Sequence, residues 1–282
     1  MALDLWNTLD VLPGSPESGA PVVEIIGQGD GELATDASNL VYTSVEFLFS
    51  EADRQLPAVH LRCENNIPLS RGMGSSAAAI ASGLVAANAL CDSLFSPAEL
   101  LEMAATIEGH PDNVAAAVLG GLQLVVSDKQ QLYTAPIMVP SDIRAVLLIP
   151  ESRIATADAR RVMPETVTVA DAVYNMGRIA LLVTGLGANH PEYLRVATED
   201  KLHQPYRQSL FPAMKIIFAA ARDAGALGVF LSGSGSTVLA LTNGREMTVA
   251  YEMFEAARQA GLESEVKVTQ PTVLGAHVVQ GA

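Results

Sequence analysis

Cysteine is scarce in this sequence, at positions 63 and 91 only, and two residues cannot build a disulfide framework. No C-x-x-C pair or His/Cys cluster accompanies them. Both therefore read as small buried hydrophobes in a reducing compartment, and no resident metal is expected. No apolar run approaches the roughly eighteen residues that span a bilayer. The opening MALDLWNTLD lacks the basic n-region and apolar h-region of a secretory signal, so a cytoplasmic location away from membranes is expected. Basic residues are also few, 17 Lys and Arg against 31 Asp and Glu, for a net charge of −14. Such a surface repels polyanions and argues against a nucleic-acid partner. A phosphorylated small molecule can still bind where a helix N-terminus or an arginine makes the field locally positive.

What is present is ample core material: 49% of the 282 residues are hydrophobic, enough for one large domain or two modest ones. Strands are expected over 3–11 and 22–27, with Pro13-Gly14-Ser15-Pro16 as the loop between them. A helix over 39–52, a strand over 59–64 and a helix over 75–91 follow. Ser96-Pro97-Ala98-Glu99 carries a capping-box signature for a helix running to about 107. A short Ala/Val helix, Gly120-Gly121 and strands 122–127 and 131–138 complete the first half. The second half opens on the buried strand AVLLIP (145–150). Helices are expected over 156–163 and 168–185, irregular helix over 190–209, and a helix after Pro212 closed by Gly225. Two strands around a Gly/Ser loop, a helix over 246–260, and strands near 264–269 and 273–279 end the chain. This order suits a layered α+β protein rather than a doubly wound sheet. The division is placed between 145 and 146.

Three stretches concentrate chemistry. Pro68-Leu69-Ser70-Arg71-Gly72-Met73-Gly74-Ser75-Ser76 follows a strand and opens a helix made of small residues. It lacks the lysine of G-x-x-x-x-G-K-[ST], and G-x-G-x-x-G is absent. Its glycines let backbone N–H groups approach phosphate oxygens at a helix N-terminus, and Ser76 offers a hydroxyl to magnesium. A tight turn before a close-packed helix explains the same residues equally well. The second stretch is Ile107-Glu108-Gly109-His110-Pro111-Asp112-Asn113. It is either a site, with Glu108 as a magnesium ligand, or a polar loop with Asp112 or Asn113 as an N-cap. The third, Leu231-Ser232-Gly233-Ser234-Gly235-Ser236-Thr237, is either a hairpin turn or a place where backbone or ligand comes close.

Together these stretches resemble the GHMP kinases. PLSRGMGSSAAAIASGL resembles their glycine-serine signature, and LSGSGSTVLAL their C-terminal glycine motif, with Ser236-Thr237 where a proline usually precedes the last serine. IEGHPDNVAAAVLGGLQLV, the Ala159–Pro164 pattern and Lys201–Arg207 resemble the homoserine kinases within that superfamily. The resemblance covers the whole chain. It implies an N-terminal domain like ribosomal protein S5 over 1–145, a ferredoxin-like C-terminal domain over 146–282, and ATP between them. It also implies phosphorylation of the L-homoserine side-chain hydroxyl, in threonine biosynthesis, with ATP and Mg2+ as cofactors. In that reading residues 68–76 bind ATP, Ser76 and Glu108 hold the metal, and His110, Asn113, Arg160, Arg207 and Gly233 surround the acceptor. A guanidinium suits the acceptor carboxylate, and a homodimer is part of the family expectation. His203 reads as structural.

Asn113 stands where sister kinases such as mevalonate kinase place an aspartate, so Asn113, Ser76 and Glu108 form the catalytic set. An amide cannot act as a base, which implies catalysis by positioning, with Asp112 as the alternative base. The chain departs from the family in one place. A segment resembling S-A-N-L-G-P-G-F-D, expected before ALDLWNTLDV, is not found. Truncation at an internal methionine is the expectation favoured over loss of amino-acid recognition, with weakened stability and homoserine binding. Another GHMP kinase and an inactive nucleotide-binding relic are the alternative readings.

Overall fold

The computed structural model describes residues 1–14, 22–129 and 131–279. They form two compact units, each assembled from more than one stretch of chain. The first comprises Met1–Leu69, Gly74–Pro136 and Thr272–Ala282; the second comprises Ser70–Met73 and Ile137–Pro271.

In the first unit, β1 (Thr8–Pro13), β2 (Val22–Gly27) and β3 (Val59–Asn65) form a sheet in the order β1-β3-β2. β3 runs antiparallel to β1 and parallel to β2. Leu61 and Cys63 point from β3 into the core while Arg62 and Glu64 face out, the period-two pattern of a one-sided sheet. Residues 3–7, expected to extend the first strand, lie outside the ladder, which begins at Thr8. Ser15 and Pro16 of the expected first loop fall outside the described residues.

Four helices cover this sheet: α1 (Leu40–Glu51), α2 (Ser75–Leu90), α3 (Pro97–Glu108) and α4 (Asp112–Leu119). Their meeting surfaces are built from small residues. A Cβ on Gly83 of α2 would lie 2.7 Å from the Val41 carbonyl oxygen of α1, so the glycine sets that close approach. Leu48, Leu61, Ile80 and Leu84 are fully enclosed. Cys63 and Cys91 are buried in the same core, and burial pushes the Cys63 thiol up to about 11, which makes it an inert hydrophobe. β4 (Leu122–Asp128) and β5 (Gln131–Ile137) form a separate two-stranded sheet.

The second unit is built on β6 (Arg144–Pro150), β7 (Gly228–Leu231), β8 (Val238–Thr242) and β9 (Ser264–Thr269), in the order β7-β8-β6-β9 and antiparallel throughout. Helices α5 (Thr156–Arg161), α6 (Val169–Gly187), α7 (Leu194–Ala197), α8 (Gln204–Arg207) and α9 (Met214–Asp223) separate β6 from β7. α10 (Glu246–Gln259) joins β8 to β9. The path is β-α-β-β-α-β, a split arrangement in which the first and third strands are central. β6 is buried from Ala145 to Pro150 because partners flank it on both edges. α9 and α10 pack on one another and on this sheet through Ile217, Ala221, Val249 and Met253.

The chain is thus a two-domain α+β protein. The second terminal strand expected over 273–279 does not form. Thr272, just before it, donates its N–H to the Ala2 carbonyl, and Ala276 donates to that of Ala117, so these residues bond loop and helix carbonyls rather than a strand.

Candidate active site

The helix that follows the glycine-serine stretch has an N-terminus that no side chain closes. Gly74, the N-cap, sits in the left-handed region (φ 76°), and no side chain accepts from the first turn. The first helical bond runs from Ala78 N–H to Gly74 O, so the amides of Ser75, Ser76 and Ala77 have no acceptor within α2. Other helices of this chain show what a closed end looks like. Ser96 caps α3 in a full capping box with Glu99, and Thr168 caps α6. α2 also has no acidic residue in its first turn, so its positive end is left for an anion from outside.

Facing that first turn is a carboxylate. α3 runs to Glu108 and stops there because Gly109 takes the left-handed conformation (φ 83°). Ser76 Oγ donates a hydrogen bond to Glu108 Oε2, and both side chains are only partly buried. A serine hydroxyl and a carboxylate oxygen beside donors suited to phosphate fit a hard divalent cation shared with a nucleotide. Among the described residues no three His, Cys, Asp or Glu side chains gather to hold a metal by themselves, so water and nucleotide oxygens would have to supply the remaining ligands.

Gly109 turns the chain into α4, where His110 Nδ1 lies 2.5 Å from Asp112 Oδ1. The same oxygen accepts the Asn113 N–H at 3.0 Å. Neither Asp112 nor Asn113 is the N-cap: that position belongs to Pro111, and Asp112 is the first helical residue. Pro111 has no side-chain acceptor to offer, and the first-turn N–H of Asn113 is taken by Asp112 Oδ1 instead. The Asn113 carboxamide is exposed and makes no hydrogen bond among the described residues, which leaves it available to a ligand.

In the second unit, residues 70–73 are stitched to two other stretches. Arg71 Nε donates to Pro150 O at 2.6 Å and Arg71 Nη2 to Glu151 O at 2.7 Å, at the end of β6. Thr237 N–H donates to Arg71 O, and Ser232 Oγ to Gly72 O at 2.8 Å. A Cβ on Gly72 would lie 2.0 Å from the Ser232 carbonyl oxygen. The 232–237 stretch joins antiparallel β7 and β8 and also receives another backbone, so both meanings read from its small residues hold.

Arg207 lies in the same unit. Its Nη1 donates to Gly233 O at 2.8 Å and faces His203 Nδ1 at 3.2 Å, and its Nε reaches Ala159 O at 3.4 Å. Nη2 has no acceptor among the described residues. Burial lowers the Arg207 pKa, Asp200 opposes this and the charge of Arg160 adds to it, leaving it below its ordinary value. Arg160 is exposed in the last turn of α5. Two guanidinium groups that repel one another are each stabilised by an anion placed against both. His203 reads from sequence as structural, and Asp200 is not singled out there. The signal that could have found them is the Lys201–Arg207 stretch, which contains His203 and directly follows Asp200.

Comparison with known proteins finds matches along the chain. Residues 39–121 match the GHMP kinases N terminal domain, and residues 169–261 the GHMP kinases C terminal domain. A homoserine kinase of Moorella thermoacetica is 39% identical over 279 residues, spanning 99% of this chain and 93% of that protein. One from Trichormus variabilis is 40% identical over 252 residues, 89% of this chain and 83% of that protein. The crystal structure of a homoserine kinase from Cytophaga hutchinsonii superposes with a TM-score of 0.84 at 28% identity, covering 94% of this chain and 85% of that one.

Proposed function

We propose that this chain, which belongs to the GHMP kinases and within them to the homoserine kinases, transfers the γ-phosphoryl group of ATP to the side-chain hydroxyl of L-homoserine. The product is O-phosphohomoserine, a step of threonine biosynthesis, carried out in the cytoplasm. The observation that supports this most strongly is the open N-terminus of α2 with Ser76 set against Glu108.

Residues 68–76 are read as the ATP site, with Gly72, Gly74, Ser75 and the amides of the first α2 turn taking phosphate oxygens. Ser76 and Glu108 are the metal ligands. Bound magnesium would supply charge neutralisation to the phosphates. Arg160 and Arg207 are read as the pair that takes the homoserine carboxylate, with Arg207 fixed by Gly233 O so that Nη2 remains free. His110, held by Asp112, and the open carboxamide of Asn113 are read as orienting the acceptor hydroxyl. Asn113 cannot remove a proton. Because phosphoryl transfer has a loose transition state with little charge on the nucleophile, alignment and electrostatics can carry the rate without a strong base.

The test is a panel of acceptors, homoserine, mevalonate, galactose and no acceptor, with ATP and magnesium, and 31P NMR of the products. A phosphomonoester signal formed only with homoserine supports the assignment. Equal or greater conversion of mevalonate would replace it with another kinase of the same family.

A further inference from the structure

The second unit contains a polar network that the proposed chemistry does not use. It begins at Asp200, whose side chain is only 7% exposed. Asp200 Oδ2 accepts the N–H groups of His203 (2.8 Å) and Gln204 (2.6 Å), and Oδ1 accepts that of Leu202 (3.0 Å) and Asn175 Nδ2 (2.6 Å). Four donors on one carboxylate fix the start of α8, where a proline follows Gln204. Gln204 is itself buried and accepts Leu231 N–H at 2.9 Å, tying α8 to β7. α8 is one turn long, so this anchoring fixes both His203 and Arg207, four residues apart.

His203 Nδ1 faces Arg207 Nη1 at 3.2 Å, and Nε2 faces Asp200 Oδ2 at 3.8 Å, too long for a hydrogen bond. Arginine can only donate, so Nδ1 must be the acceptor and the ring must be neutral with its proton on Nε2. Of the three guanidinium nitrogens, Nε and Nη1 are thereby committed to Ala159 O, Gly233 O and His203, and Nη2 is the one left open.

We propose that neutral His203 is the positioning residue for Arg207, holding Nη2 toward the acceptor carboxylate and making homoserine affinity fall when the imidazole gains a proton. This rests on the reading of Arg207 as the carboxylate ligand. A protonated Nδ1 would place an N–H against the Arg207 N–H and a second positive charge beside the first. The charged groups around the ring are Asp200 ahead of α8 and Arg207 on it, and Arg160 on α5 acts on Arg207. Burial lowers the His203 pKa, Asp200 opposes that and Arg207 adds to it, so its proton is taken up below the ordinary 6.5. Homoserine itself does not titrate in that window, and its carboxylate stays charged.

Three variants of the full chain separate the outcomes. His203→Ala, which lacks the acceptor, should raise KM for homoserine about tenfold while KM for ATP and kcat change little. His203→Asn places an amide oxygen near the Nδ1 position and should restore homoserine KM. Unlike the wild type, its KM should stay flat between about pH 7.5 and 5.5. Homoserine dissociation constants from calorimetry should give the same ranking independently of turnover. The proposal is overturned if His203→Ala leaves homoserine affinity unchanged, if it weakens ATP equally, or if His203→Asn keeps the acid-side rise. Arg207→Ala distinguishes the underlying reading. If it leaves homoserine affinity intact, the carboxylate assignment fails. If it weakens homoserine and His203→Ala does not, only the role of His203 fails.

Discussion

Ser76 Oγ donates to Glu108 Oε2 across the gap between the first turn of α2 and the last residue of α3. Each side chain is at a helix end for its own local reason, Gly74 opening one helix and Gly109 closing the other. In the proposed kinase this pair becomes the metal's protein ligand set. Glu108→Gln and Ser76→Ala should each lower kcat on the order of 100-fold and raise the magnesium concentration needed for half-maximal rate. Thermal midpoints should move little, because neither side chain is in the packed core. Equal loss of stability and rate would mark the pair as structural.

The two glycines of the opening loop should behave differently on substitution. Gly72 has φ 72°, and a Cβ there would collide with the Ser232 carbonyl at 2.0 Å. Gly74 has a similar φ of 76° with nothing within 4 Å. Gly74→Ala should therefore cost only the left-handed penalty, about 1 kcal/mol. Gly72→Ala adds a backbone displacement and should cost about 2–4 kcal/mol. Urea denaturation of the two variants, compared through ΔG and slope, checks the order.

Asp200 gives the fold an acid-sensitive joint. Burial pushes its carboxyl up, but the amides of Gln204 and His203 and the Asn175 side chain outweigh that, so its pKa lies below the ordinary 3.8. A lowered folded value means the unfolded chain binds the proton more readily. The stabilisation is complete above the ordinary value and is lost as pH falls through the folded one. Asp200→Asn should lower stability by about 2–3 kcal/mol at neutral pH and flatten the acid side of a stability profile below about pH 4. An unchanged profile would contradict the anchoring role.

The base-free chemistry is checked at α4. Asp112 already accepts from His110 and from the Asn113 N–H, so its engagement favours an orienting role. Asp112→Ala should keep measurable turnover, reduced about tenfold through loss of His110 positioning. Asn113→Asp should not raise turnover at low pH. If Asp112→Ala abolished the reaction and Asn113→Asp raised it at low pH, a carboxylate base would replace positioning.

Much of this was legible in sequence because the signals are local. The Ser96–Glu99 capping box starts α3 where its spacing places it, and β6 is the apolar run it reads as. The glycine-serine stretch carried two meanings, and the structure divides them along the helix. Gly83 and its neighbouring alanines serve close packing on α1, while Gly74 leaves the helix mouth open. What sequence could not give is pairing at a distance. Residues 273–279 are apolar enough to read as a strand, yet Ala276 bonds the Ala117 carbonyl, and Thr272 just before them bonds Ala2 and Gly121, partners no periodicity can name. His203 lies in the Lys201–Arg207 stretch, but its contact with Arg207 and that of Asp200 with Asn175 depend on how the chain brings these residues together.

The most direct measurement is ADP release from ATP and magnesium by the 282-residue chain, with and without homoserine. Release should depend on homoserine, saturate with it, and be lost in Glu108→Gln. Release that is independent of homoserine, or none from a folded chain that binds ATP, would contradict the proposed reaction.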